Sequence, residues 1–565
     1  MNIGTAIRSA GRVLLARPAS VLPVYLLVLG IAATTRVPIV VGIAVALGLL
    51  VADGRLQALL EAVEAVDFEA LEETGAEGEL DPETIPPELE AALLDVFSPE
   101  IIGIVGLAVL LAVVVSIVSN GISNAAAING IYGCLYDGDG VADAVVGVGR
   151  DWKTFVGITL AQLGVVLVGV VPIVVGASLF AVSPVAGVAA ALVGGLLSAA
   201  IVIVGLLALA FAGQSVVVDG STLGGAIRRS VGFPLREPLG FLAYVVVALG
   251  VFGGLSVLGG LFAALGVSQL TGIISPLLAI PFLDAFKTAL YADRPFVARS
   301  AQTQSHTAVA DGGSDQSEPT DTDVQSVDDE HAAADSDEPV DQTGVEPAGD
   351  DDTGVGGQGQ PADDTPAYRH RFVAAFRDGL AAVGEFARAQ PGSILAASAL
   401  FVAAAAAGWL VTAEFAVDFP VDEGIGEIFG TIPVGAFVMI AANNWLVSAT
   451  AIYGGVALGV PTVVDMLLNG FIIGAVAGIV EPIVFLALVA PHGIVEVPAI
   501  LLAGGLGLHV GWTVLGVFRG TRSSAELADV LRLAYRVLLG LASILIVAAF
   551  IEAFLTPPIA ELVLT

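Results

Sequence analysis

Apolar residues run through this chain in long continuous blocks, not in alternation with polar ones. The blocks fall at about 20–50, 101–133, 154–182, 186–212, 238–264 and 268–291, then at 392–413, 432–458, 464–490, 497–518 and 537–556. Most reach or exceed the roughly 20 residues a helix needs to cross ~30 Å of hydrocarbon. Barrel strands would instead alternate lipid-facing and lumen-facing residues over ~10 positions. The pattern predicts an all-α, polytopic helical membrane protein with about six spans in residues 1–298 and about five in 368–565. The blocks at 20–50 and 101–133 are long for one straight helix and short for two. Counting each as one crossing keeps the carboxylate-rich segment 53–99 outside the membrane.

A second pattern precedes several spans. IGTAIRSAGRVLLARPASVLPVYLLVLG at 3–30 resembles LGGAIRRSVGFPLREPLGFLAYVVVALG at 223–250, and the stretches 141–164 and 376–400 read similarly. Each has an amphipathic, basic segment, a turn and then a span, as expected of an interfacial helix on the cytoplasmic surface. A true internal repeat and convergence on one insertion solution both fit the pattern. A cleaved signal peptide fits residues 3–30 less well, because no clear small-residue cleavage site follows. Segment 53–99 has apolar residues at helical spacing between carboxylates. It predicts one or two extramembrane amphipathic helices, broken near Asp81-Pro82 and Pro86-Pro87.

Composition divides the chain in two. From residue 300 to 368 there is no Lys or Arg, and Asp, Glu, Ser, Thr, Gly and Gln dominate. Such a segment buries too little apolar surface to offset its ordering entropy. Residues 299–367 are therefore expected to be a disordered acidic linker between two membrane domains. The basic clusters at 8–17, 150–153, 228–236, 287–299, 369–388 and 519–536 place the N-terminus and the linker in the cytoplasm and the C-terminus outside. Arg36 and Arg55 do not fit that topology. With 55 acidic and 21 basic residues the formal charge is −34, at a mean hydropathy of +0.90. This surplus, with few Lys, points to a haloarchaeal protein of the plasma membrane, soluble at ionic strengths where charges are screened within a few Å. No basic face exists to bind nucleic acid. Cys134 is the single cysteine, which excludes an internal disulfide or a thiolate metal cluster.

The candidate chemistry lies in residues 443–512. Asn443, Asn444, Asp465, Asn469, Glu481, His492 and Glu496 interrupt apolar sequence where a carboxylate costs roughly 2.5–3.5 kcal/mol on insertion scales. Glu552, near the end of the last span, is placed within reach of the same polar core. Gly455, Gly459, Gly470, Gly474, Gly478, Gly493, Gly504, Gly507 and Gly511 fall between them, several at spacings that bring helix backbones close. His492 and Glu496 stand four apart, on one face of a helix expected to start at Pro491.

These residues carry a resemblance. NN at 443–444, GGVALG at 454–459, NGFIIG at 469–474, PHGIVEVPAILLAGGLG at 491–507 and AAFIEAFLTP at 548–557 occur in this order. The series resembles the stage II sporulation protein M family over about 390–560. The resemblance implies five spans and a membrane-anchor role beside cell-wall hydrolases, without catalysis. The first half resembles, more weakly, the membrane domains fused to some glycerophosphodiester phosphodiesterases and their haloarchaeal cousins. It has no phosphodiesterase domain.

No nucleophile elbow, Walker motif or dinucleotide fingerprint occurs. Zinc would want about four ligands, and only His509, some four turns on, extends the pair, so neither metal nor cofactor is assigned. The expected function is a non-enzymatic scaffold positioning membrane or envelope proteins in the bilayer. The alternative is a permease using Asp465, Glu481, His492 and Glu496 as a proton or solute path. An intramembrane enzyme built on His492 and Glu496 ranks third.

Overall fold

The computed structural model describes residues 3–66, 87–181, 183–292, 365–415 and 433–564. Among these residues there is no strand, and eleven helical segments are long and apolar enough to cross a membrane. Residues 299–364 of the expected linker and 67–86 of the acidic segment lie outside the described residues.

Helices α1 (Ile3–Ala16) and α2 (Pro18–Ala33) open the chain. A 3₁₀ turn at Thr34–Arg36 then leads into α3 (Val37–Ala52). The short α4 (Arg55–Glu64) and α5 (Pro87–Val96) pack on each other before α6 (Pro99–Leu135) and α7 (Gly140–Ser178). Arg55 joins them, donating to the Asp95 carbonyl at 3.2 Å and the Ser98 hydroxyl at 2.8 Å while pairing with Asp53 at 2.6 Å. That accounts for one of the two cations at odds with the topology.

Next come α8 (Pro184–Ala208), α9 (Ala212–Asp219), α10 (Leu223–Arg236), α11 (Pro238–Ala264), α12 (Gln269–Ile274) and α13 (Ile280–Ala292). The second half has α14 (Thr365–Ala389), α15 (Pro391–Thr412), α16 (Val434–Tyr453) and α17 (Val460–Ile479). It ends with α18 (Pro482–Phe518), α19 (Ser524–Phe550), a π turn at Ile551–Leu555 and α20 (Thr556–Leu564).

Three of the four similar stretches break identically. The residue before the span's first proline has φ −129°, ψ 47° at Arg17, φ −132°, ψ 62° at Glu237 and φ −129°, ψ 49° at Gln390. A following proline disfavours the α conformation at that position by clash with its ring, and at these three sites the amphipathic helix ends and a new helix starts at the proline. The fourth stretch has no proline and runs unbroken through α7. Residues 524–536, which alternate charged and apolar positions, are likewise continuous with the last span in α19. It opens on a capping box in which Ser523 and Glu526 satisfy each other's backbone N–H.

One boundary differs from expectation. The spans expected at 464–490 and 497–518 are drawn instead as α17 and α18, with the break at Val480-Glu481. Val480 is extended (φ −92°, ψ 142°), and Pro482 starts the next helix without an N–H to satisfy. Pro491 therefore does not start a helix. It and Pro498 lie inside α18, a placement that membrane helices tolerate when packed among neighbours.

The halves on either side of the linker are not separate bodies. Met1–Arg294 and Ala374–Thr565 group into one compact unit. Helix α2 lies against α16, the turn after it and α19, while α7 also touches α19. A Cβ on Gly30 would fall on the main-chain carbonyl of Tyr453, so these two backbones are in direct contact. At the bundle's basic end Arg532 of α19 pairs with Asp139, which also caps α7 through the backbone N–H groups of Val141 and Ala142. Arg17 pairs with Asp137 in the same turn at 2.5 Å.

Gly30→Leu is expected to destabilise the unit by about 1–3 kcal/mol, the usual penalty of overpacking, and to lower the thermal midpoint of the purified protein. Gly250→Ala, where nothing lies within 4 Å, should leave the midpoint in place. Equal midpoints for both variants would remove the Gly30 contact from the account.

Candidate functional site

Glycine and alanine build the frame of the site. Helices α15 and α17 pair with backbones nearly touching: a Cβ on Gly470 would meet the Phe401 main chain, on Gly474 that of Ala405, and on Gly478 that of Trp409 and Ala413. Gly408 meets the Phe471 main chain in return. The Thr412 hydroxyl donates across the same seam to the Ala475 carbonyl at 2.8 Å. Gly455 and Gly507 bring the turn after α16 onto α18, where the Thr462 hydroxyl donates to the Ala451 carbonyl at 2.7 Å. Gly504 rests on Met466, and Gly511 on the main chain of Leu458 and Gly459.

Gly459 itself acts through conformation. Its φ of 78° begins α17 in the left-handed region, which costs a side-chain-bearing residue roughly 1–2 kcal/mol. Gly493 differs from the rest: a Cβ there would meet only Val489 and Val497 of its own helix. The sequence does not single out Gly30, Gly408 or Gly505, which make equally close contacts.

The eight polar residues separate into groups. His492, Glu496 and Glu552 converge, each offering a ligand atom within 4.8 Å of the others. The His492 Nε2 and a Glu552 carboxylate oxygen are 4.0 Å apart, with side chains only 15% and 25% exposed. Asn444, 9% exposed on α16, faces Glu496.

The elements set this geometry. The i, i+4 spacing holds His492 and Glu496 on one face of α18, between Pro491 and Pro498. Glu552 rides on the π turn, a local widening of the helix that is frequent at functional sites. Phe550 and Phe554 flank it with ring centroids 5.0 Å apart, and both approach Phe437 of α16.

Asn443, Asp465, Asn469 and Glu481 stand apart from this group. Asn443 is exposed on α16, and Glu481 is exposed in the turn that starts α18. The Asn469 side chain donates to the Asp465 carbonyl of its own helix at 2.8 Å. Asp465 lies within the electrostatic reach of Arg36, whose turn touches α17. The second cation at odds with the topology therefore neighbours one of the intramembrane carboxylates. Its misfit in the charge pattern was the available signal.

Residues 397–557 match the family described as stage II sporulation protein M. An uncharacterised protein of Methanocaldococcus jannaschii is 30% identical over 138 residues, which span 23% of this chain and 75% of that protein. The chain belongs to the stage II sporulation protein M family. The sporulation protein M domain thus comprises most of α15 through the start of α20, and all eight polar residues lie in it. The match leaves the N-terminal half, and the resemblance expected there, outside. No solved structure matches the chain.

Within the sporulation protein M domain, His492→Ala and Glu552→Gln should be coupled in a double-mutant cycle on stability by about 0.5–3 kcal/mol. His492→Ala and Asp465→Asn, in different groups, should add to within about 0.5 kcal/mol. The reverse ranking would mean that the polar residues form one core after all.

Proposed function

We propose that this protein is a non-enzymatic membrane scaffold, in which the sporulation protein M domain is a rigid docking body for other membrane helices. One observation carries the reading: the domain already grips a helical module outside the family match. Helix α2 lies in main-chain contact with Tyr453 through Gly30, and the Tyr453 hydroxyl donates to the Leu531 carbonyl at 3.2 Å. The turn that receives α2 is thereby fixed to α19. A surface shaped for one module by missing side chains suits the positioning of further envelope proteins, in line with the anchor role that family membership implies.

The eleven crossings, with basic residues at 8–17, 150–153, 228–236 and 519–536, support a plasma-membrane topology with the N-terminus and linker cytoplasmic and the C-terminus outside. A relay through Asp465, Glu481, His492 and Glu496 is less well supported. Glu481 is exposed in a turn, and Asp465 has different neighbours from His492.

The test is co-purification of the full-length protein from native membranes at high salt, with mass spectrometry of what remains bound. A scaffold retains a stoichiometric membrane or envelope partner and is silent in ion and solute flux when reconstituted alone in liposomes. Flux from the pure protein, without any retained partner, would replace this reading with the permease.

A further inference from the structure

The convergence of His492, Glu496 and Glu552 leads beyond docking. Hydrogen bonds among the three would make them a packing feature, yet the imidazole and the Glu552 carboxylate are 4.0 Å apart, outside hydrogen-bond range. The His492 Nδ1 and one Glu496 carboxylate oxygen are buried atoms without a hydrogen-bond partner. Among the described residues, neither carboxylate is paired with a Lys or Arg. Two carboxylates and an imidazole thus face one another within the bundle, close but not bonded.

We propose that His492, Glu496 and Glu552 bind one first-row divalent cation of the zinc class, with Asn444 orienting Glu496. Ligands about 2.0–2.2 Å from a common ion lie roughly 3–4 Å from each other, so the observed spacing needs only small side-chain rotations to close. Two carboxylates balance a divalent charge, which removes the penalty of holding them together in an apolar bundle. The imidazole selects against magnesium and calcium, which take oxygen ligands, and toward zinc, manganese, iron or cobalt. Three protein ligands leave a coordination position open for water or a ligand group. The ligands come from α18 and the π turn, so the ion ties the last span to the proline-bearing helix. The inference does not depend on the scaffold reading, since an ion at this site is compatible with docking, permeation or chemistry.

The experiment uses the full-length protein in detergent, carrying a tag without histidine. The protein is stripped with a chelator, incubated with Zn²⁺ alone and washed, and the metal is then counted by mass spectrometry beside a thermal-unfolding scan. About one Zn²⁺ per chain is expected, with a midpoint that rises on loading. Glu552→Gln, nearly isosteric, should weaken Zn²⁺ binding more than about 100-fold, beyond the 10–100-fold typical of losing a residue that merely orients a ligand. Asn444→Ala should fall within that lower range. His492→Ala should abolish both the retained metal and the midpoint rise, whereas Asp465→Asn keeps both. Zn²⁺ retained undiminished by folded Glu552→Gln and His492→Ala would overturn the proposal. So would a folded wild type that holds neither Zn²⁺ nor Mn²⁺.

Discussion

Main chain against main chain, made possible where a side chain is missing, is the contact on which this molecule rests. Lipid tails are as apolar as leucine, so no hydrophobic force drives helices together inside the bilayer. Association there depends on van der Waals packing and interhelical hydrogen bonds, both of which need close approach. Gly470, Gly474 and Gly478 supply that approach between α15 and α17, Gly455 and Gly507 between the 454–456 turn and α18, and Gly30 between the two halves. The hydroxyls of Thr412 and Thr462 then reach carbonyls on the neighbouring helix, a bond open only to backbones this near.

The polar group is a consequence of this frame. With α18 held to the 454–456 turn by Gly455 and Gly507, and α16 to α19 by the Tyr453–Leu531 bond, Asn444, His492 and Glu552 are carried to one place by helical segments, not by loops. The two irregularities that aim the side chains, the prolines of α18 and the π turn of α19, occur in the segments that bear them. Each would cost stability in an isolated helix. Here the surrounding helices hold them in place.

Much of this was legible in the sequence because membrane constraints are strong and local. Continuous apolar blocks marked eleven candidate crossings, and glycines four apart marked a face of α17 suited to close helix approach, without naming its partner. The i, i+4 spacing of His492 and Glu496 foretold a shared face. The helix break was not legible. Pro491 looked like a helix start because a proline in sequence carries no sign of whether neighbours will satisfy the carbonyls it frees. Val480 gave no signal that it would be extended. Membership of the polar group was over-read for the same reason: Glu481 and Asn443 are polar residues in apolar surroundings, yet both are exposed. The union of the two halves was least legible, since a 69-residue acidic segment separates them in sequence, while the contacts joining them, Gly30 on Tyr453, α7 on α19 and Arg532 with Asp139, pair residues hundreds of positions apart.

Cleavage between the halves tests that union most directly. A site-specific protease sequence inserted between residues 300 and 364 would divide the purified protein without touching the described helices. The account predicts that both fragments elute together by size exclusion in detergent, unfold in a single transition, and separate only on denaturation. Fragments that part immediately after cleavage, each still folded, would contradict it and return the chain to two independent membrane domains on a tether.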